Sequence, residues 1–199
     1  MAKKIITIAR EYGAGGREIA QKVAEQLQIT YYDNDIIDRI AAELGFDIET
    51  IRKASNEKSS SFMYTMSYNA FSLPINDQVF TMQSKVIRHI ADKNDDAIIV
   101  NGIADYALED YDNVLKVFIH APLDYRVKRV EEGKGAELTA EDKKDLKKHV
   151  ISKDKKRSNY YNYYTTNKWG NLKNFDLTIN SDIGVDEVAK IIVDIYKNM

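Results

Sequence analysis

Apolar residues recur along this chain in two rhythms. Short unbroken runs, Ile5–Ala9, Ala97–Val100, Val114–His120 and Phe175–Ile179, are rich in Ile and Val and hardly alternate with polar residues. Strands covered by helices on both faces read this way, because neither face meets water. Thr30–Tyr32 is a weaker run of the same kind. Between the runs, apolar residues fall three and four apart: Ile19, Ala20, Val23, Ala24 and Leu27 form one stripe, and Val185, Val188, Ile191, Ile192 and Ile195 another. That spacing predicts amphipathic helices. A further helix is expected over Asp77–Lys93. Strands alternating with helices predict an α/β fold, a mostly parallel five-stranded sheet with right-handed crossovers.

Two stretches break the alternation. Residues 56–74, NEKSSSFMYTMSYNAFSLP, are rich in Ser and aromatic residues without a clear period. Residues 133–140, GKGAELTA, read as a turn before a new helix, with Thr139 as its cap and Asp142 in its first turn. The segment that follows, Glu141–Tyr164, is charged and then tyrosine-rich. Both stretches read as flaps over one body spanning 1–199, about 55–75 and about 131–165, of the kind that close on ligands.

A chain of 199 residues accommodates one substantial core. Its net charge of −2 argues against a general nucleic-acid binder, so any anion site must be built locally. There are no cysteines, which rules out disulfides and thiolate metal sites. No stretch approaches the ~20 apolar residues that cross a bilayer. The expectation is a cytoplasmic protein that binds neither membrane nor nucleic acid.

The strongest local signal is IITIAREYGAGGREIA, Ile5 to Ala20. A strand run, the glycine-rich turn Gly13-Ala14-Gly15-Gly16 and a helical stripe follow one another. Glycines let backbone amides point inward, and a helix start adds unpaired N–H groups and a positive dipole end. A tight turn that binds nothing is the plainer reading. A standard phosphate loop ends in Gly-Lys-Ser or Gly-Lys-Thr, its lysine on the outer phosphates and its hydroxyl on magnesium. Gly16 stands at the lysine position here. Arg17 could lay a bidentate guanidinium on phosphate oxygens. Glu18, the residue after Arg17, could hold magnesium or simply favour the first helical turn.

REYGAGGREIA, YYDNDII, IHAPLDYRVKRV and KRSNYYNYYTTNKWGNLKNFDLTINS occur in that order and together resemble the cytidylate kinase-like family, a branch of the P-loop kinases. The resemblance runs from Lys4 to about Tyr196, and the lysine-less loop is a trait of that family. It implies a P-loop kinase fold with an acceptor-binding flap and a lid. It also implies magnesium-dependent transfer of a phosphoryl group from ATP to a nucleoside monophosphate, with CMP or dCMP as the acceptor. On the same ground Asp33 and Arg39 fall on the acceptor, Arg126 and Arg129 near the lid facing the nucleotide, and Arg157 on the transferring group. Lys153, Asp154 and Arg157 resemble the family's Arg-Asp-x-x-Arg lid signature. Without the resemblance, Arg126 and Arg129 read as a solvated helix face.

The chain departs from the family at Asn101 and Gly102, where relatives carry Gly-Arg, although Asp105 remains. The missing arginine removes a charge-assisted contact of roughly 1.5–3 kcal/mol from the acceptor side. Arg88 is a candidate to compensate. Two further readings follow: a P-loop kinase for another small acceptor, and a nucleotide-binding module without catalysis. Tyr160, Tyr161, Tyr163, Tyr164 and Trp169 read as packing residues. His89, His120 and His149 lack metal-ligand spacing and take no chemical role.

Overall fold

Five strands, Ile5–Arg10 (β1), Thr30–Tyr32 (β2), Ala97–Ile99 (β3), Val114–His120 (β4) and Leu177–Asn180 (β5), pair in the order β2-β3-β1-β4-β5. Every pairing is parallel. The computed structural model describes residues 3–33, 38, 41, 42, 45, 75–93, 96–133 and 138–199. Its helices are Gly16–Leu27 (α1), Ile75–Asp92 (α2), Ala104–Ala107 (α3), Leu123–Glu131 (α4), Leu146–Tyr164 (α5) and Val185–Lys197 (α6).

The apolar runs are continuous because successive residues serve opposite cores. On one face Ile6 and Ile8 of β1 pack with Ile19, Ala20 and Val23 of α1 and with Val188 and Ile192 of α6. On the other, Ile5, Ala97 and Ile99 pack with Met82, Val86, Ile87 and Ile90 of α2. Each fully buried aliphatic side chain contributes roughly 1.5–3 kcal/mol. The order leaves β1 central, with β3 and β4 on either side. The crevice beyond its carboxyl end is the point of strand-order reversal where open α/β sheets take ligands.

Three expectations change in detail. The last strand starts at Leu177 rather than Phe175, whose ring packs on Phe118 at a centroid distance of 5.0 Å. Thr139 does not cap the long helix. It exchanges hydrogen bonds with Asp142 around a short 3-10 turn, Asp142–Lys144. Asp145 instead caps α5, its carboxylate accepting from the Lys148 amide at 2.9 Å. Arg126 and Arg129, a solvated face on pattern alone, are each only 7 % exposed, because the loop after β1 and α5 close over them. Of the two flaps, residues 55–74 lie outside the described residues.

Candidate functional site

The turn after β1 is shaped by close approaches. Gly13 has φ +82°, and a Cβ there would stand 2.8 Å from the Arg126 carbonyl oxygen, so only glycine brings the loop against α4. Ala14 is fully buried and anchors the loop in the core. Gly15 caps α1, and the first-turn amides that follow it lack helical acceptors. At Gly16 a Cβ would lie 2.8 Å from Cγ and 2.9 Å from Cβ of Arg10, so the Arg10 side chain crosses directly over that residue.

In front of this turn lies a cavity of about 380 Å³ lined by Arg10 through Gly13, Gly15 through Glu18, Gln21, Arg129, Gly133 and Arg157. Four arginines reach it. Arg129 Nη2 donates to Glu18 Oε2 at 2.6 Å. Arg17 Nε pairs with Asp33 Oδ2 at 3.3 Å, its side chain half exposed. Arg157 Nη1 donates to the Arg10 carbonyl at 3.0 Å and lies 4.0 Å from Asp154 Oδ1. Arg10 has no carboxylate within ion-pair distance among the described residues. Burial, then the Arg157 and Arg17 cations, push it down from 12.5 to about 9. Burial also lowers Arg157. Crowded cations of this kind are what a bound polyanion would relieve.

A second layer sits behind the turn. The Arg126 guanidinium donates to the Ala121 carbonyl (2.9 Å) and the Tyr12 carbonyl (3.1 Å), and pairs with Glu11 (3.2 Å) and Asp154 (2.5 Å). Asp154 also accepts from the Tyr12 amide at 2.7 Å. The Tyr12 ring meets three α5 side chains, with Lys153 Nζ at 5.9 Å, Arg157 Cζ at 5.4 Å and the His149 ring edge-on at 5.4 Å. Through these contacts α5 is docked onto the turn.

At the end of β2, Asp33 accepts from Tyr31 Oη at 3.2 Å besides pairing with Arg17. Burial and then the Asp33 charge push the Tyr31 hydroxyl up to about 12. Beyond β3, Asn101 Oδ1 accepts from the Ile103 amide at 2.9 Å and so braces the turn into α3. A Cβ on Gly102 would meet nothing within 4 Å among the described residues. Asp105 accepts from Tyr161 Oη of α5 at 2.6 Å, and its second oxygen is buried without a partner. Burial raises its carboxyl to about 6.

The cytidylate kinase-like family model matches residues 5–183. The chain belongs to the cytidylate kinase-like family. Among curated proteins, none matches its sequence. Among solved structures, an uncharacterized protein from Eubacterium ventriosum is 27% identical, with each chain covered over 99% and a TM-score of 0.71. A shikimate kinase from Bacteroides thetaiotaomicron is similar in fold at 12% identity and TM-score 0.59, with 98% of each chain covered. A gluconokinase from Sinorhizobium meliloti is similar in fold at 11% identity and TM-score 0.57, covering 98% of this chain and 92% of its own.

In this family member the residues expected from the sequence fall into groups. Gly13, Gly15, Gly16, Arg17, Glu18, Arg129 and Arg157 come together around the cavity. Asp33 joins them through Arg17, while Arg126 and Asp154 brace the turn from behind. Asp105 faces α5 through Tyr161. Arg88 stands apart, 3.9 Å from Asp110 and over the Tyr111 ring, next to the segment that leads into the amino end of β4. Arg39 lies outside the described residues. The sequence reading passed over Arg10, because an arginine closing a strand run looks like a strand terminator. The signal available for Arg10 was its place at the carboxyl end of the first strand, immediately before the turn. Tyr12, between Glu11 and Gly13, carries no such signal in the sequence.

Proposed function

We propose that this protein transfers the γ-phosphoryl group of ATP to a nucleoside monophosphate, CMP or dCMP in the first instance. The observation that carries the proposal is the four-arginine cavity in front of the glycine turn, in a chain of the cytidylate kinase-like family. In such a transfer an acceptor phosphate oxygen attacks the γ-phosphorus, the bond to the β–γ bridging oxygen breaks, and ADP leaves with the charge. The protein's contribution is alignment and neutralisation of charge. The α1 amides with Arg17 and Arg129 would hold the donor phosphates, and Arg157 would face the transferring group. Asp33, Arg39 and Asp105 would orient the acceptor, and Arg126 with Asp154 would hold turn and lid in register.

Among the described residues no group of three or more His, Asp or Glu could hold a metal ion. Mg²⁺ with several waters, one or two carboxylates and substrate phosphates does not require one. Glu18 fits as a carboxylate beside the ion once its Arg129 pairing is exchanged, and Mg²⁺ would supply neutralisation of the phosphate oxygens.

A second reading, a kinase for another small acceptor, draws on Gly102, where the family's acceptor arginine is absent and, among the described residues, no atom lies within 4 Å of an added Cβ. ADP release from Mg·ATP should be measured across a panel of nucleoside monophosphates and small hydroxyl compounds. Turnover with CMP or dCMP supports the first reading, and turnover confined to the hydroxyl compounds supports the second. Thermal stabilisation by ATP without transfer to any acceptor would leave neither standing.

A further inference from the structure

The position that carries the phosphate-loop lysine elsewhere is Gly16, and the structure gives a reason for the glycine. Any side chain there would collide with the base of Arg10, at 2.8 Å from Cγ and 2.9 Å from Cβ. These are the inflexible atoms nearest the backbone, so the clash cannot be relieved by swinging a side-chain tip. Arg10 lies across the site from which a lysine would project, and it lines the same cavity.

The ion pairs around the turn point the same way. Glu18 is taken by Arg129, Asp33 by Arg17, and Glu11 by Arg126. Asp154 is shared, close to Arg126 and distant from Arg157. Arg10 has no carboxylate within pairing distance among the described residues. It is kept beside Arg157, which donates to its carbonyl and whose charge acts against its own. Holding two like charges together is costly when Asp33 offsets Arg10 only from beyond pairing distance and Asp154 stands 4.0 Å from Arg157, and an oxyanion between them would reverse the sign of the interaction.

Building on the kinase reading above, we infer that Arg10 replaces the phosphate-loop lysine by reaching over Gly16 to the outer phosphates of the bound nucleotide. It does so from the strand before the turn rather than from the helix after it. Arg17, paired with Asp33, adds its charge from the first turn of α1. A guanidinium in this role would grip two phosphate oxygens at once, where an ammonium acts as a point charge.

The test is ADP binding by titration calorimetry to the full chain, with folding checked by thermal melting. Arg10→Gln keeps the stem over Gly16 and removes the charge. It should weaken ADP about ten- to hundredfold, the scale of one charge-assisted contact. Arg10→Lys should recover part of that loss. The double variant Arg10→Gly with Gly16→Lys removes the clash and moves the cation to the standard position, and it should bind ADP more tightly than Arg10→Gly alone. Folded Arg10→Gln that binds ADP within twofold of the parent would overturn the inference and leave the kinase reading intact. A parent protein that binds neither ADP nor ATP would overturn both.

Discussion

Arg126 of α4 and Asp154 of α5 form a buried ion pair at 2.5 Å, and each also holds the main chain of Tyr12, one through its carbonyl and the other through its amide. The turn that faces the cavity is therefore fixed by two helices distant in sequence. Removing one partner leaves the other with its weaker contact only, Arg126 with Glu11 at 3.2 Å or Asp154 with Arg157 at 4.0 Å, so the cost should fall below the about 3–5 kcal/mol of a wholly uncompensated buried charge. Arg126→Met and Asp154→Leu should each lower the melting temperature markedly. The double variant should lose less than the sum of the two, which thermal denaturation of all four proteins would measure.

Gly102 offers a direct test of the acceptor side. A Cβ meets no atom within 4 Å among the described residues, and the backbone is not in the left-handed region. Gly102→Arg should therefore leave the melting temperature nearly unchanged. If a nucleoside monophosphate is the acceptor, its KM should fall about ten- to hundredfold. Steady-state kinetics with an unchanged KM would mean that the phosphate of the acceptor lies elsewhere.

Asp105 should leave a signature in the pH dependence of stability. Burial raises its carboxyl from 3.8 to about 6 in the folded protein. The folded state then holds a proton that the unfolded chain has already released. This contribution is fully present below pH ~4, is lost as pH rises toward ~6, and is flat above. Asp105→Asn should remove that slope, as urea denaturation at pH 4, 5, 6 and 7 would record.

Mg²⁺ alone should bind weakly, because Glu18 is engaged by Arg129 at 2.6 Å and no ligand cluster exists among the described residues. Titration of Mg²⁺ should give no thermal shift in the absence of nucleotide and a clear additional shift in the presence of ADP. Glu18→Gln should reduce only the second effect.

The core was legible from the sequence because burial on both faces leaves an unbroken apolar run, and β1, β3 and β4 carry one each. The glycine turn was legible because the conformation of Gly13 excludes other residues. The roles of the arginines were not, since nothing local distinguishes a buried arginine from a solvated one. Arg126 and Arg129 are buried by α5 and the turn, contacts that span 28 to 114 residues of chain. Thr139 illustrates a nearer limit: the same cap chemistry serves a 3-10 turn or a long helix, and Asp145 lies close enough to take over the latter.

The contact between Arg10 and Gly16 also constrains how this loop could change by descent. A lysine acquired at position 16 alone would strike the arginine stem, and a small residue acquired at position 10 alone would discard a cation before another was in place. Each single step passes through a poorer protein, so the two loop designs are separated by a barrier although they differ at two positions. A lineage that settled on one arrangement would tend to keep it, and scans that require the lysine would pass over its members.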